Sequence, residues 1–558
     1  MRSGRIGTWF QRKRTSDEAS SESPRGLEID RQYQEWIETW ESYEPARDAI
    51  PSRLLLSIGL IGGPASAADE AYWSTLQGRS SNFQILRASA FGAGTLTTLI
   101  DQSNAQFVLF AAPSDRLGGN LALQLSEAMQ ARVPAAVIFG DEDQIDSAGR
   151  RYAPWFKPDF GSDLFLCQNG FGRSVFFRKT DLIAIRLPDA PDLDTSVYAI
   201  ALELIVRTSS KPLHCPGVLL HVGGDPRQTP NCRVTYLPAE PRRPFVEAFL
   251  SHLGTGAKIE NLNHSNVLRI HHPLPEKLPL VSIVIPTRDR KDLLSHCIAS
   301  LDKLTSYRPK EIIVVDNGSI ETETKEYLSA LSERKDVRIV DAPGPFNYSH
   351  LINAGVAQAA GDVIAVLNND VEAIESDWLH EMVSQALRPD VGLVGCLLLY
   401  PDRTIQHAGV VIGLSGIAHH VFRKGPQQHT YAGRALVAQD LSAVTGACHV
   451  MRRSVFERLG GLDEQNLAVA YNDIDFCLRV REHGLRIVYT PYAKLIHRHK
   501  ASRGIDTRPE RLTAYIWERE YMRSRWARVI CDDPFFNPNL SLSTKDIRLA
   551  TAPRTRIV

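Results

Sequence analysis

No two of the eight cysteines form a C-x-x-C pair; they are scattered at positions 167, 215, 232, 297, 396, 448, 477 and 531. That scatter argues against a structural zinc site and a disulfide framework, and for buried free thiols in a reducing compartment. No apolar run reaches the ~18 residues that a membrane span needs. The nearest approach, residues 53–68, looks like a signal-peptide core, but it starts at residue 53 behind a polar segment, whereas a signal sits at the N-terminus. Leu54–Ile61 is read instead as a buried strand. Net charge is also missing: 64 Lys and Arg balance 64 Asp and Glu. Without a basic field to release counterions, a general nucleic-acid binder is excluded. The expected location is cytoplasmic, soluble or peripheral at the inner face of a membrane.

What is present is ordinary globular material. With 43% hydrophobic and 23% charged residues the chain is not disordered, and its 558 residues suffice for two to four domains. Residues 1–25, rich in Arg, Ser and Glu, read as a tail. Tyr33, Trp36 and Trp40 have helix-like spacing within residues 28–48. From about 52 to 236 short apolar runs (Phe83–Ala88, Phe107–Ala111, Ala135–Phe139) alternate with helical patterns such as Leu121–Ala131, the signature of an α/β sheet. The expected division is a tail and helix over 1–48, an α/β domain over 49–240, a linker over 241–280, a second α/β domain over 281–541 and a tail over 542–558. The linker rests on the run His272-Pro-Leu-Pro-Glu-Lys-Leu-Pro279, because proline stops both helix and ladder.

The second half is sharper. Strands are expected at Val281–Ile285, Glu311–Val315, Val337–Asp341 and Val363–Leu367, with helices over 291–304, 322–332 and 348–359. Polar clusters follow the strand ends, where ligands bind in open parallel sheets. Asp316, opening Asp316-Asn-Gly-Ser319, could cap a helix or accept from a base or a ribose. Asn368-Asn-Asp370 is either a turn or a set of hard oxygens for a divalent cation shared with phosphates. Asp473 and Asp475, at the start of a helix, either cap it or supply a general base. The cluster after Leu495, with His497, Lys500 and Arg503, suits an anion such as a diphosphate.

Taken in order, VSIVIPTRDR, VVDNGS, AGDVIAVLNNDV, VTGA, YNDIDFCLR and LIHRHKASRG resemble family 2 glycosyltransferases of the GT-A fold, in particular the bacterial rhamnosyltransferase-like branch of polysaccharide and O-antigen assembly. FNYSHLINAG (346–355), YPDRTIQHAGVVIG (400–413) and DPFFNPNLS (533–541) fit that branch too, and the resemblance spans roughly 280–541. It implies a GT-A, Rossmann-like, mostly parallel sheet flanked by helices. It implies an inverting transfer from a nucleotide-sugar donor to a glycan or lipid-linked glycan, with Mg²⁺ or Mn²⁺ bridging the diphosphate. On this chain the family's nucleoside contacts fall on Pro286, Thr287 and Asp316. Its D-x-D motif falls on Asn368, Asn369 and Asp370, with Asp370 as the metal carboxylate. The base falls on Asp473, the late metal or phosphate histidine on His497, a mobile-loop phosphate contact on Arg503, and the acceptor floor on Thr445, Gly446 and Ala447. Two positions depart from the pattern: Asn368 replaces the first D-x-D carboxylate, and Ile352 stands where many relatives carry Arg.

Residues 139–179 resemble the leading domain of two-domain members of the family. There the expected D-x-D carboxylates are Ala112 and Ser114, so this half is expected to be a degenerate GT-A-like domain without a donor site. Asp141, Glu142 and Asp143 read as a solvated turn that packs domains or meets an acceptor. Two rival functions stand against glycosyl transfer. A non-catalytic carbohydrate-binding or assembly subunit is disfavoured because Asp370, Asp473 and His497 are all present. A nucleotidyltransferase needs a Gly-rich loop after the first strand, and Pro286-Thr-Arg-Asp-Arg290 has no glycine.

Overall fold

The structure, a computed structural model, describes residues 24–41, 56–63, 66–79, 82–129, 135–224, 238–262, 266–427, 430–498 and 509–554. Most of the expected N-terminal tail, and Arg503, lie outside the described residues.

The first body is built on strands β1 (Leu56–Ile61), β2 (Phe83–Ala88), β3 (Phe107–Ala111), β4 (Arg116–Leu117), β5 (Val137–Ile145), β6 (Arg151–Trp155), β7 (Val175–Arg178) and β8 (Leu213–Gly223). They form one sheet in the order β2-β1-β3-β7-β5-β8-β4, with β6 on β5. A hairpin, β9 (Lys258–Asn261) and β10 (Leu268–His271), follows.

The second body contains β11 (Val281–Thr287), β12 (Lys310–Asp316), β13 (Val337–Asp341), β14 (Val363–Leu367), β15 (Val371–Ala373), β16 (Val391–Leu399), β17 (Ile405–His407), β18 (Val410–Ile412), β19 (Ala418–His420), β20 (Gln439–Leu441), β21 (Cys448–Arg452) and β22 (Arg486–His497). Its main sheet runs β13-β12-β11-β14-β21-β16-β22-β15, with β17 on β16 and β20 on β22. All seven residues of β11 are buried, as befits a central parallel strand covered on both faces. One cover is the helix Lys291–Leu304, whose Leu293, Leu294, Cys297, Ile298 and Leu301 face the sheet at helical spacing.

Setting β13 and β20 aside, the two sheets match strand for strand. β1, β2, β3, β4, β5, β6, β7 and β8 correspond in chain order to β11, β12, β14, β15, β16, β17, β21 and β22, and every pairing keeps its direction. The α/β reading of both halves therefore holds, and the chain carries the same fold twice.

The segment expected as a linker is folded for most of its length. The helix Ala239–His252 buries Val246, Phe249 and Leu250 in the first body's core, and Leu268 and Ile270 of the hairpin join them. The Pro-rich run after the hairpin is the extended connection. The expected C-terminal tail also packs: Ile547 and Leu549 lie against Leu540 in a cluster that holds Tyr33 and Trp36 of the helix Pro24–Trp40. Trp40, the third aromatic of that helix, is 39% exposed, and its indole N–H donates to the Thr551 carbonyl at 2.9 Å.

Asp141, Glu142 and Asp143 do not form a solvated turn. They lie inside β5, each at most 1% exposed, because each carboxylate has buried partners. Glu142 meets Lys157 Nζ at 3.3 Å, and Asp143 meets His221 Nδ1 at 2.6 Å. Asp141 lies 3.0 Å from His214 Nε2 and accepts from Asn537 Nδ2 at 2.8 Å. Asn537 belongs to the DPFFNPNLS motif, so Asp141 ties that motif to the first body. Seven cysteines are described; all are free, and all but Cys531 are buried. No helix among the described residues is long and apolar enough to cross a membrane.

Candidate active site

At the C-terminal edge of the second sheet lies a cleft of about 960 Å³, within the range of small-ligand sites. Pro286 and Thr287 end β11, and Asn368, Asn369 and Asp370 form the turn between β14 and β15. Thr445, Gly446 and Ala447 lead into β21, Asp473 opens the helix Asn472–Glu482, and His497 ends β22. All ten line this one cleft. Residues up to 211 positions apart in the chain (Pro286 to His497) thus converge because parallel strands end on one edge.

Asp370 is 4% exposed, and its Oδ1 has no hydrogen-bond partner among the described residues, yet it stands 3.2 Å from His497 Nε2. β15 pairs Val371 with His497 and fixes that approach. A buried carboxylate oxygen without a hydrogen bond, beside an imidazole nitrogen, is a donor set that fits a divalent cation. No group of three or more His, Cys, Asp or Glu side chains is placed to hold a metal among the described residues. Two protein ligands suit an ion that takes its other oxygens from phosphates and water. Asn369 Nδ2 donates to Thr287 Oγ1 at 3.0 Å and ties the turn to β11.

Asp473 Oδ2 accepts from the Gly446 N–H at 2.7 Å and Oδ1 from the Ile474 N–H at 2.9 Å. A Cβ at Gly446 would come within 3.2 Å of Asp473 Cβ, a tight contact that asks Asp473 to give by a few tenths of an ångström. Burial pushes the Asp473 pKa up, outweighing those two hydrogen bonds, which lower it. Asp475 is different in kind. It is fully buried and accepts from Arg479 Nε at 2.7 Å and Trp526 Nε1 at 2.9 Å, so it fastens the helix rather than facing the cleft.

Asp316 does not line the cleft. It pairs in register with Thr287, and its carboxylate accepts from the Ser319 N–H at 3.0 Å and the Ser319 hydroxyl at 2.5 Å, which shapes the Asn-Gly turn. Ile352 is buried in the core.

Several cleft residues escaped the sequence reading. The Tyr348 hydroxyl, with one proton to share, lies 3.1 Å from Asn368 Oδ1 and 2.9 Å from the Gly446 carbonyl, between the two turns. Glu518 accepts from the Val469 and Ala470 N–H groups, holding the turn that precedes Asp473. Arg511 stacks over Phe346 at 5.6 Å, and with Arg288 it puts cationic side chains on the cleft wall. Tyr348 and Phe346 stood inside a quoted motif; Glu518 and Arg511 lie on a helix that carried no signal.

Residues 282–460 match the family model for glycosyl transferase family 2. The domain belongs to that family. Its matched stretch ends before Asp473 and His497. An uncharacterized protein, y4gI, of Sinorhizobium fredii is 36% identical over 472 residues, covering 81% of this chain and 50% of that protein. The O-antigen biosynthesis protein RfbC of Myxococcus xanthus is 34% identical over 484 residues, covering 85% of this chain and 37% of that protein. Both alignments exceed the length of the second body, so they include first-body sequence. An N-acetylglucosaminyl-diphospho-decaprenol L-rhamnosyltransferase of Mycobacterium tuberculosis is 25% identical over 257 residues, covering 42% of this chain and 80% of that protein. The chain spans half or less of the length of the first two relatives.

The family 2 fold makes the first body's counterpart cleft informative. The turn between β3 and β4 carries a carboxylate after all, Asp115, one position beyond Ser114. Asp194 is the second residue of the helix Leu193–Thr208, as Asp473 is of its own helix. Between them lies Arg173, two residues before β7, as Gly446 is before β21. Its Nη1 donates to both Asp115 oxygens at 2.9 and 3.0 Å, and Nε and Nη2 donate to Asp194 at 2.9 and 3.0 Å. A guanidinium thus stands where the second body leaves open space. Arg173→Met should destabilise the protein by about 1.5–3 kcal/mol, since it removes the charged partner of the buried Asp115, which keeps only the Ala112 and Gly223 N–H groups at 2.8 and 2.9 Å. A lowered urea midpoint at unchanged slope would show this; an unaltered midpoint would mean the ion pair is dispensable.

Proposed function

We propose that the second body transfers a sugar from a nucleotide-sugar donor to a glycan or lipid-linked glycan acceptor, with inversion at the anomeric carbon and with Mg²⁺ or Mn²⁺. The observation that carries this reading is the convergence of Asp370, His497 and Asp473 in one cleft of a family 2 domain. Pro286, Thr287, Asp316, Asn368 and Asn369 would hold the nucleotide, Asp316 from beside Thr287, with Arg503 a further phosphate contact. Asp370 and His497 would hold the cation, which when bound neutralises charge on the leaving diphosphate. Asp473 would take the proton of the attacking hydroxyl, and Thr445–Ala447 would floor the acceptor side. A single displacement that uses one base inverts the configuration.

The relatives named for O-antigen biosynthesis and for rhamnosyl transfer to a diphospholipid-linked sugar support a cell-surface polysaccharide product, with rhamnose as a candidate sugar. A lipid-linked acceptor would bring the protein to the inner face of a membrane. The first body, its counterpart cleft filled by Arg173, is proposed as a degenerate GT-A-like domain without a donor site.

The test is a panel of nucleotide sugars incubated with the full chain and Mn²⁺, with release of free nucleoside diphosphate as the readout. Metal-dependent release from at least one sugar is expected. No release and no binding of any nucleotide sugar would leave the reading of a carbohydrate-binding or assembly subunit.

A further inference from the structure

The motif YPDRTIQHAGVVIG places Gln406 and His407 on β17, and the β18–β19 hairpin returns His420 beside them. Gln406 and His420 line the candidate active-site cleft. Gln406 is 2% exposed, and its Oε1 has no hydrogen-bond partner among the described residues. A buried amide oxygen left in that state is costly, and a ligand hydroxyl would relieve the cost.

His407 fixes what His420 can offer. The two Nδ1 atoms are 2.9 Å apart, with the rings edge to face at 5.0 Å, so one Nδ1 carries the proton and the other accepts it. His407 Nε2 is buried with no hydrogen-bond partner among the described residues. A stranded N–H is rarer in proteins than an under-satisfied acceptor, so His407 carries its proton on Nδ1 and donates it to His420. His420 must then carry its own proton on Nε2, the ring nitrogen left for a ligand. Burial keeps both rings neutral: the His407 pKa is pushed down to about 3, and that of His420 well below the usual imidazole value.

We infer that Gln406 Oε1 and His420 Nε2–H form an uncharged acceptor–donor pair that grips hydroxyls of the transferred sugar. A hydroxyl both donates and accepts, whereas a phosphate would want cations such as Arg288 and Arg511. On β16, Leu398 pairs with His407 on one side and with Leu495, two residues before His497, on the other, and Gln406 and His420 line the same cleft as Asp370 and His497; the pair therefore lies on the side of the cleft where the cation and diphosphate are proposed. This inference rests on the glycosyl-transfer reading of the cleft.

The experiment uses the full chain with Mn²⁺. It compares affinity for a nucleotide sugar that the wild type hydrolyses with affinity for the matching nucleoside diphosphate. Gln406→Met and His420→Phe should each weaken nucleotide-sugar binding about tenfold and flatten the preference between sugar epimers. Nucleoside diphosphate affinity should stay within about twofold, which also certifies the fold. His420→Gln, whose amide N–H can stand in for Nε2–H, should recover most of the loss. Should Gln406→Met fail to fold, the His420 pair decides alone. Equal losses for both ligands, no loss for either, or no recovery by His420→Gln would overturn the inference while leaving glycosyl transfer in place. A wild type that neither binds nor hydrolyses any nucleotide sugar would remove both.

Discussion

Asp473→Asn should retain donor binding and lose transfer by at least about two orders of magnitude, the lower end of what a positioned general base contributes. The carboxylate sits at a helix N-terminus with an N–H on each oxygen, from Gly446 and Ile474, and it faces the cleft. An amide can satisfy only one of those two donors, so a stability cost of about 1–2 kcal/mol accompanies the change, and the comparison needs variant shown to be folded. Asp475→Asn is the control. It breaks a buried ion pair with Arg479, at a cost of about 3–5 kcal/mol, while any protein that still folds keeps its transfer rate. Near-normal transfer by folded Asp473→Asn would move the base elsewhere.

The pH dependence has a definite sign. Burial raises the Asp473 pKa, so the basic form is present only above a value higher than the ordinary aspartate range. Transfer should fall as pH drops through that raised value. The same group makes the fold less stable as pH rises from the usual carboxylate pKa toward the raised one, because across that window the native state binds the extra proton. A rate that stays flat down to pH ~4 would argue against a desolvated carboxylate base.

Asp370→Ala should abolish metal-dependent nucleotide binding, a loss of more than the ~10–100-fold that removing an outer-shell partner of a metal ligand typically costs. Asp370 is the sole carboxylate in its turn, and Asn368 and Asn369 bring no charge to replace it. Asn368 Oδ1 already shares the Tyr348 hydroxyl proton. Calorimetric titration of nucleoside diphosphate with and without Mn²⁺ measures the effect. A variant that titrates like the wild type would show that the cation, if any, is held elsewhere.

The strands and helices of the second half were legible because each satisfies local rules. β11, β14 and the helices Lys291–Leu304 and Thr322–Ser332 fall within two residues of where periodicity put them. The ten cleft-lining residues were named in the sequence through the resemblance to family 2 glycosyltransferases, which carried the family's motif positions onto this chain. The strongest errors came where burial reverses what composition suggests. Asp141-Glu142-Asp143 reads as solvent-loving, yet Lys157, His214 and His221 each bring a buried partner from elsewhere in the chain. The helix Ala239–His252 fell within the expected linker because that reading rested on the proline run 272–279, whereas the helix is held by its apolar contacts with the first body's core.

The sequence by itself determined the α/β class, the order of the site motifs and the family. The class depends on short-range periodicity, and the motifs and family on an ordered resemblance to known family members. Only the tertiary structure decided that the same sheet occurs twice, that Arg173 bridges Asp115 and Asp194 in the first body, that Asp316 holds the turn to Ser319, and that Gln406 and His420 line the same cleft as Asp370, Asp473 and His497. Each of these is a meeting of side chains from separate strands, set by sheet order and register, which no local pattern encodes.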